Sequence, residues 1–367
     1  MKIVYVPRKD ANDVPGGDIV LMRCIKKHIK SLGVEIKIVP IEGLRYQSGA
    51  QALHLTQIYQ LDVAEEAVEW ATKQQIPILI SPLFEESLSV WYRMAIQRHA
   101  MWYYLSRVLG ATLSESVYKA WQAGKRTRIP EWRRQRKLLR SAHVVANSLY
   151  EASHLRKWFN SPDLAASIVP VGVDSEFYGS QLIDTRQPLP DPLESWSGDY
   201  VLQVGVISRR KNQEGLLRAL HSTVEPIVLL GRPSPYDIDY YNEVQRKANE
   251  RGNVVFIEYV SDTLLPKLYR NAAVHILPSW SERPGLVTLE AAASGCKVIS
   301  TNRSPIWEYL GSRADYCDPA KPNSIPLAVQ RALGKSGSGD LKRYVLTNYS
   351  WQQTAAKLKS VYERLLN

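Results

Sequence analysis

The chain has 367 residues, of which 45% are hydrophobic and 23% charged, and its net charge is +11. That length allows two ordinary domains with separate cores, and no apolar run approaches the ~18–20 residues a membrane span requires. Cys24, Cys296 and Cys317 are odd in number and widely spaced, which excludes a disulfide frame and a zinc cluster and fits reduced thiols in a cytoplasmic chain.

Met1–Pro7 reads as a first β-strand, without the apolar core of a signal peptide. The stretch Pro15-Gly16-Gly17-Asp18 then opens an amphipathic helix over 19–32. Glycines there permit close backbone approach and the helix amino terminus favours an anion. An ordinary turn with Asp18 as a cap is the alternative. The six-residue dinucleotide glycine pattern is absent, which disfavours NAD and FAD. Strand-like runs at 35–39, 51–55, 76–80, 144–146 and 167–169 alternate with helical stretches such as 63–73.

Residues 82–109 are rich in Trp and Tyr, a composition that favours aromatic packing between helices over an acceptor groove. Between Val117 and Arg140 there are nine basic residues and one acid, with Trp121 and Trp132 interleaved. This is either a solvated helix face or a docking surface for anionic lipid head groups or a polyanionic acceptor. The basic excess lies mostly in the first half, where residues 1–175 hold 24 Lys and Arg against 16 Asp and Glu.

Pro188, Pro190 and Pro192 punctuate a linker over 179–197. The strand rhythm resumes beyond it at 200–204, 226–230, 254–257, 274–277 and 297–300. Such alternation predicts an α/β protein with two doubly wound Rossmann-like domains. The expected domains are 1–178 and 198–349, with a last helix over 350–367 that can return to the first.

Three places in the second half could carry chemistry. Directly after its first strand, Val204-Gly205-Val206-Ile207-Ser208-Arg209-Arg210-Lys211-Asn212 leads into a helix. Cations there can neutralise a departing diphosphate, or simply form a basic turn. Asp237-Ile238-Asp239 has the form of a metal-binding pair but reads as a helix start. After the run 273–277 come Glu282, Gly285 and Glu290, with a helix expected from Leu289 to Ser294. This order presents free amides and two carboxylates to one small volume, suited to a phosphate and sugar hydroxyls.

These segments, with 253–261, 265–274 and 298–301, occur in an order that closely resembles the retaining glycosyltransferases of family four. The resemblance covers Tyr200 to Tyr316 and, more loosely, Gly16-Gly17, 142–148 and 169–174. It implies the GT-B architecture, two Rossmann-like domains facing a cleft. It assigns Glu282 to the donor sugar's hydroxyls and Glu290 to the ribose, with the amides of Gly285, Leu286 and Val287 cradling the diphosphate. Arg210 and Lys211, beside Gly205, stabilise the leaving phosphate. Gly16 and Gly17 approach the diphosphate from the first domain, and the backbone near Tyr259 and Val260 meets the base. The implied donor is UDP-glucose, with GDP-mannose the rival. Given the basic first domain, the expected acceptor is a saccharide or lipid-linked glycan of the cell envelope or an exopolysaccharide, met in the cytoplasm or at the inner face of the plasma membrane.

The chain departs from the family pattern in four respects, one of them Val171 in place of a common Asn, without chemical consequence. Arg283-Pro284 stands where Gly-Phe is common, Val206 where an Arg is common, and Ile80-Ser81-Pro82 where many relatives have a histidine. His54 and His99, the nearest substitutes, read as structural. In the front-face mechanism proposed for such enzymes the leaving phosphate takes the acceptor proton, so neither a protein base nor a metal is required. A non-catalytic binding protein with a decayed donor site is the alternative from a different class. No nucleic-acid module is present.

Overall fold

A computed structural model of the chain describes residues 1–11, 17–84, 88–179, 188–196, 200–321, 323–335, 337 and 339–367. The chain divides into two compact units, each assembled from segments distant in sequence. Unit 1 comprises Met1–Glu85, Ala120–Gly172 and Tyr349–Asn367, and unit 2 comprises Glu86–Lys119 and Val173–Asn348.

Unit 1 is built on Lys2–Val6 (β1), Glu35–Ile38 (β2), Ala52–Leu55 (β3), Ile78–Ile80 (β4), His143–Ala146 (β5) and Ala166–Ile168 (β6). They form one parallel sheet in the order β2-β1-β3-β4-β5-β6. Successive side chains of β1 point to opposite faces. Val4 and Val6 join a core with Leu61, Ala64 and Ala67 of the helix Leu61–Lys73 and with Trp132, Leu138 and Leu139 of Pro130–Arg140. Tyr5 instead meets the helix Trp351–Leu366, which packs beside Gly17–Ile29.

That second face carries a buried polar chain. The Tyr362 hydroxyl lies 2.8 Å from the Tyr5 hydroxyl and 2.8 Å from His54 Nδ1, and His54 Nε2 lies 2.9 Å from Ser81 Oγ. Burial drives the His54 pKa down to about 3, so its ring is neutral. The last helix is thereby keyed to β1, β3 and the end of β4.

Unit 2 contains Tyr200–Val204 (β7), Ile227–Leu230 (β8), Val254–Ile257 (β9), Ala272–Leu277 (β10), Val298–Thr301 (β11) and Asp315–Cys317 (β12). The parallel order is β12-β11-β10-β7-β8-β9. Val201, Ile227, Leu229, Val274, Ile276 and Ile299 are buried in its core. Near-continuous apolar runs are what a strand covered on both faces demands. At the end of β8, a Cβ on Gly231 would sit 2.2 Å from the Gly205 carbonyl oxygen, and φ there is +149°. Only glycine lets the two strand ends approach this closely.

The expected domain boundary at 178 does not match these units. The helix Ser175–Gly179 packs against Leu286–Ser294 and Gly339–Asn348, inside unit 2. Residues 86–119 also belong there. Tyr92, Ala95, Trp102 and Tyr118 form a small aromatic core among the helices of this segment, while Trp91, Met101, Tyr103 and Tyr104 remain exposed. Of the expected linker, residues 180–187 and 197 lie outside the described residues.

Candidate functional site

In unit 2 the strand order reverses between β7 and β10, so the chain segments that leave these neighbours diverge at their carboxyl ends. A crevice at such a switch point is where open α/β sheets bind ligands. Both central motifs of the sequence emerge there.

On the β7 side, Gly205 has φ of +143°, and a Cβ there would come within 3.2 Å of Lys211 Cε. The missing side chain makes room for the lysine stem. Arg209–Lys211 form a 3-10 turn that ends at Asn212 in the left-handed region, with φ of 60°. Two side chains brace this turn: Gln203 Nε2 donates to the Lys211 carbonyl at 2.8 Å, and Asn212 Nδ2 donates to the Pro278 carbonyl at 3.0 Å.

On the β10 side, the Trp280 N–H donates to the Arg210 carbonyl at 2.8 Å. Arg210 Nη1 donates to the Ser281 carbonyl at 3.0 Å and to Glu282 Oε1 at 3.0 Å. Lys211 Nζ reaches the same Oε1 at 2.6 Å. The Lys211 and Glu282 side chains are 9% and 5% exposed, so this pair is desolvated. Burial alone would raise the Glu282 pKa. The charges of Lys211 and Arg210 outweigh it and hold the carboxylate below its ordinary value. Two cations facing one carboxylate leave a net positive charge at the crevice.

Gly285, with φ of +70°, turns the chain into the helix Leu286–Ser294. The first ladder bonds run from the Thr288 and Leu289 amides to the Gly285 carbonyl, at 2.9 and 3.3 Å. The amides of Leu286 and Val287 therefore precede the ladder and point out of the helix end. The sequence placed the helix start at Leu289, which is a correction. The left-handed Gly285 sets the start three residues earlier, and Glu290 accordingly sits in the second turn rather than at the opening.

Glu290 is half-buried, and its Oε2 accepts from the Tyr269 hydroxyl at 3.4 Å, with the Tyr178 hydroxyl a second partner. Burial pushes its pKa up to about 7, and the two tyrosine hydrogen bonds only partly offset that. Tyr259, 66% exposed, and Val260 follow β9 at the same carboxyl edge. The structure thus gathers Gly205, Arg210, Lys211, Glu282, Gly285, Leu286, Val287 and Glu290 around β7 and β10. Gly17 opens a helix of unit 1, where neighbouring Asp18 pairs with Arg8 at 2.9 Å, and Gly16 lies outside the described residues.

Several neighbours escaped sequence reasoning. Trp280 carries the Arg93 guanidinium over its ring at 4.4 Å and that of Arg303 at 5.5 Å. Arg303 also pairs with Glu115 at 2.9 Å and Asp318 at 3.3 Å, and its carbonyl accepts from the Glu282 amide at 3.4 Å. His275 is wholly buried against Tyr269, with a pKa near 3, chiefly from burial and then from Lys211. The tyrosine pair around Glu290 could have been suspected from Tyr269 inside the segment 265–274; Tyr178 could not, because it stood on the wrong side of the expected boundary. Asp237 precedes the helix Ile238–Arg251 and accepts from the Arg209 amide at 3.3 Å. Among the described residues no group of three His, Cys, Asp or Glu could hold a metal ion, and no helix is long and apolar enough to cross a membrane.

This arrangement places the chain beside sugar-transferring proteins. Residues 195–363 match the family described as glycosyl transferases group 1. An uncharacterised glycosyltransferase of Methanocaldococcus jannaschii is 30% identical over 174 residues, 44% of each chain. The O-antigen chain mannosyltransferase B of Escherichia coli is 25% identical over 236 residues, 60% of each chain. The chain thus spans about half the length of these curated relatives. The Anabaena protein HepE, solved in complex with UDP and glucose, shares the fold, with a TM-score of 0.73 at 13% identity, over 99% of this chain and 100% of that one.

Proposed function

We propose that the chain is a retaining glycosyltransferase whose unit 2 binds a nucleoside-diphosphate sugar and whose unit 1 serves the acceptor. The observation that carries this reading is the convergence of Arg210 and Lys211 on Glu282 at the β7–β10 switch point, beside the open amides of Leu286 and Val287. Both cations bond Oε1, so Oε2 is assigned to the donor sugar's hydroxyls. The surplus positive charge and the helix amides then stabilise the phosphate as it departs. Glu290 takes the ribose hydroxyls, and Tyr259 and Val260 lie where the base is expected. In this mechanism the leaving phosphate oxygen accepts the acceptor's proton. Neither a protein base nor a metal is assigned a step.

UDP-glucose is the proposed donor, a choice supported by the fold shared with a protein solved with UDP and glucose. GDP-mannose is the competing donor, favoured by the similarity to a mannosyltransferase. Labelled nucleotide sugars offered singly decide between them. Release of UDP from UDP-glucose is expected, and consumption of GDP-mannose alone would overturn the donor assignment. If no nucleotide sugar is hydrolysed and UDP still binds, the chain is a nucleotide-sugar binding protein instead.

The proposed acceptor is a saccharide or lipid-linked glycan met at the inner face of the plasma membrane. Its support is the helix Pro130–Arg140, where Trp132, Arg133, Arg136, Lys137 and Arg140 line a groove of about 310 Å³. Nearby, Lys125 lies 3.6 Å over the half-exposed Trp121. Basic side chains with interfacial aromatics suit anionic lipid. Cosedimentation with anionic but not neutral vesicles is expected, and equal recovery with both would remove this contact.

A further inference from the structure

The cations Arg210, Lys211 and Arg303 near Trp280 each have a carboxylate. Arg210 and Lys211 share Glu282, and Arg303 pairs with Glu115 and Asp318. Lys119 also pairs with Glu115, at 2.9 Å. Arg93 differs from these. It belongs to the helix Leu88–Arg98, in the same unit as Trp280, and its Nε is buried without a hydrogen-bond partner. Among the described residues no carboxylate stands within ion-pair distance of it.

A guanidinium stacked on an indole is held by one face only. Its N–H groups lie in its plane, clear of the ring face, and its two terminal nitrogens form a rigid fork that matches two oxygens of an anion. A buried charged donor with no acceptor is costly to maintain. A ligand that supplies the missing charge removes that cost.

The position of the fork says which ligand. Trp280 is two residues before Glu282, and its amide is held by Arg210. Arg93, stacked on Trp280, therefore stands at the Glu282 end of the crevice. Resting on the donor reading above, this is the sugar end, where the diphosphate is already provided for by Arg210, Lys211 and the helix amides. We infer that Arg93, planed against Trp280, binds a phosphate group carried by the acceptor. Phosphate is preferred to a neutral hydroxyl because its charge of about −1.5 to −2 supplies what the cluster lacks. Arg303 on the same ring adds attraction without leaving its own carboxylates.

The full chain is saturated with UDP and titrated with inorganic phosphate, followed by calorimetry and by 31P line broadening. The parent is expected to bind phosphate. Arg93→Met should weaken binding about 10-fold or more, and Arg93→Lys should fall between, since it keeps the charge and loses the fork. Equal binding by parent and Arg93→Met overturns the inference, as does a parent that binds no phosphate. If Arg93→Met has lost its near-ultraviolet circular dichroism, Arg93→Lys decides by the same criterion. If UDP itself fails to bind, the donor reading falls. The titration is then run on the ligand-free chain, where dependence on Arg93 still tests the anion site.

Discussion

Glu282 and Glu290 are eight residues apart on one loop and helix, yet their surroundings push them in opposite directions. Lys211 and Arg210 hold Glu282 ionised despite its burial, whereas burial, with a smaller push from the Asp262 charge, raises Glu290 to about 7 against its two tyrosine hydroxyls. Burial is common to both. The difference lies in charge, because cations favour an ionised carboxylate and neutral donors satisfy it without neutralising it. Two carboxylates driven apart in this way suit different tasks. On the proposed reading, the ionised one pairs with cations and orients the donor sugar, and the other, able to exchange its proton near neutrality, takes the ribose hydroxyls.

Removing the cations that distinguish the Glu282 end should have the largest effect. Lys211→Met is expected to lower donor turnover by ~10²–10³-fold, measured as nucleotide release. It also leaves a buried carboxylate short of a partner, and chemical denaturation should show a loss of about 3 kcal/mol. Unchanged turnover would mean that the pair is structural only.

Glu282→Gln keeps the shape and removes the charge. Turnover should fall by about 10²-fold. Because the folded-state pKa of Glu282 is depressed, its contribution to stability is present above the ordinary carboxylate value near 4.5 and is lost as pH falls through the folded value. Acid unfolding of Glu282→Gln should therefore lack that component.

At the other end the sign reverses. Glu290 binds its proton more tightly in the folded chain, so stability declines as pH rises from about 4.5 to about 7. Glu290→Gln should remove that decline and flatten the pH dependence of the donor KM across the same window. A KM profile that keeps its inflection in Glu290→Gln would assign the titration to another group. The smallest change is Tyr269→Phe, which removes one hydroxyl from Glu290. About 1 kcal/mol, or roughly fivefold in donor KM, is expected, with the Glu290 inflection moved upward.

The two sheets were legible because parallel strands buried on both faces appear as short apolar runs, as in Ile227–Leu230 and Val298–Thr301. The site's polar members were legible from strand-loop-helix order, which needs only local sequence. What escaped depends on side chains that meet across long sequence separations. Arg93 and Glu115 sit in a helical segment whose pattern announces amphipathic helices but not the unit they join. The Leu286 helix start was hidden for a local reason: apolar periodicity from Leu289 onward says nothing about a left-handed glycine four residues earlier.

The division of the chain also bears on how the protein can be made. Its path passes from one unit to the other at residues 85, 119, 172 and 348, so neither unit is a continuous piece of the gene. Tyr362, which closes the polar chain with Tyr5 and His54, leaves the ribosome 357 residues after the first of these partners. Unit 1 must therefore wait, unfinished, while all of unit 2 is synthesised. Of two expression fragments cut at the proline-rich linker, the C-terminal one would lack Arg93, Glu115 and Tyr178, and the N-terminal one would leave β1 without its last helix.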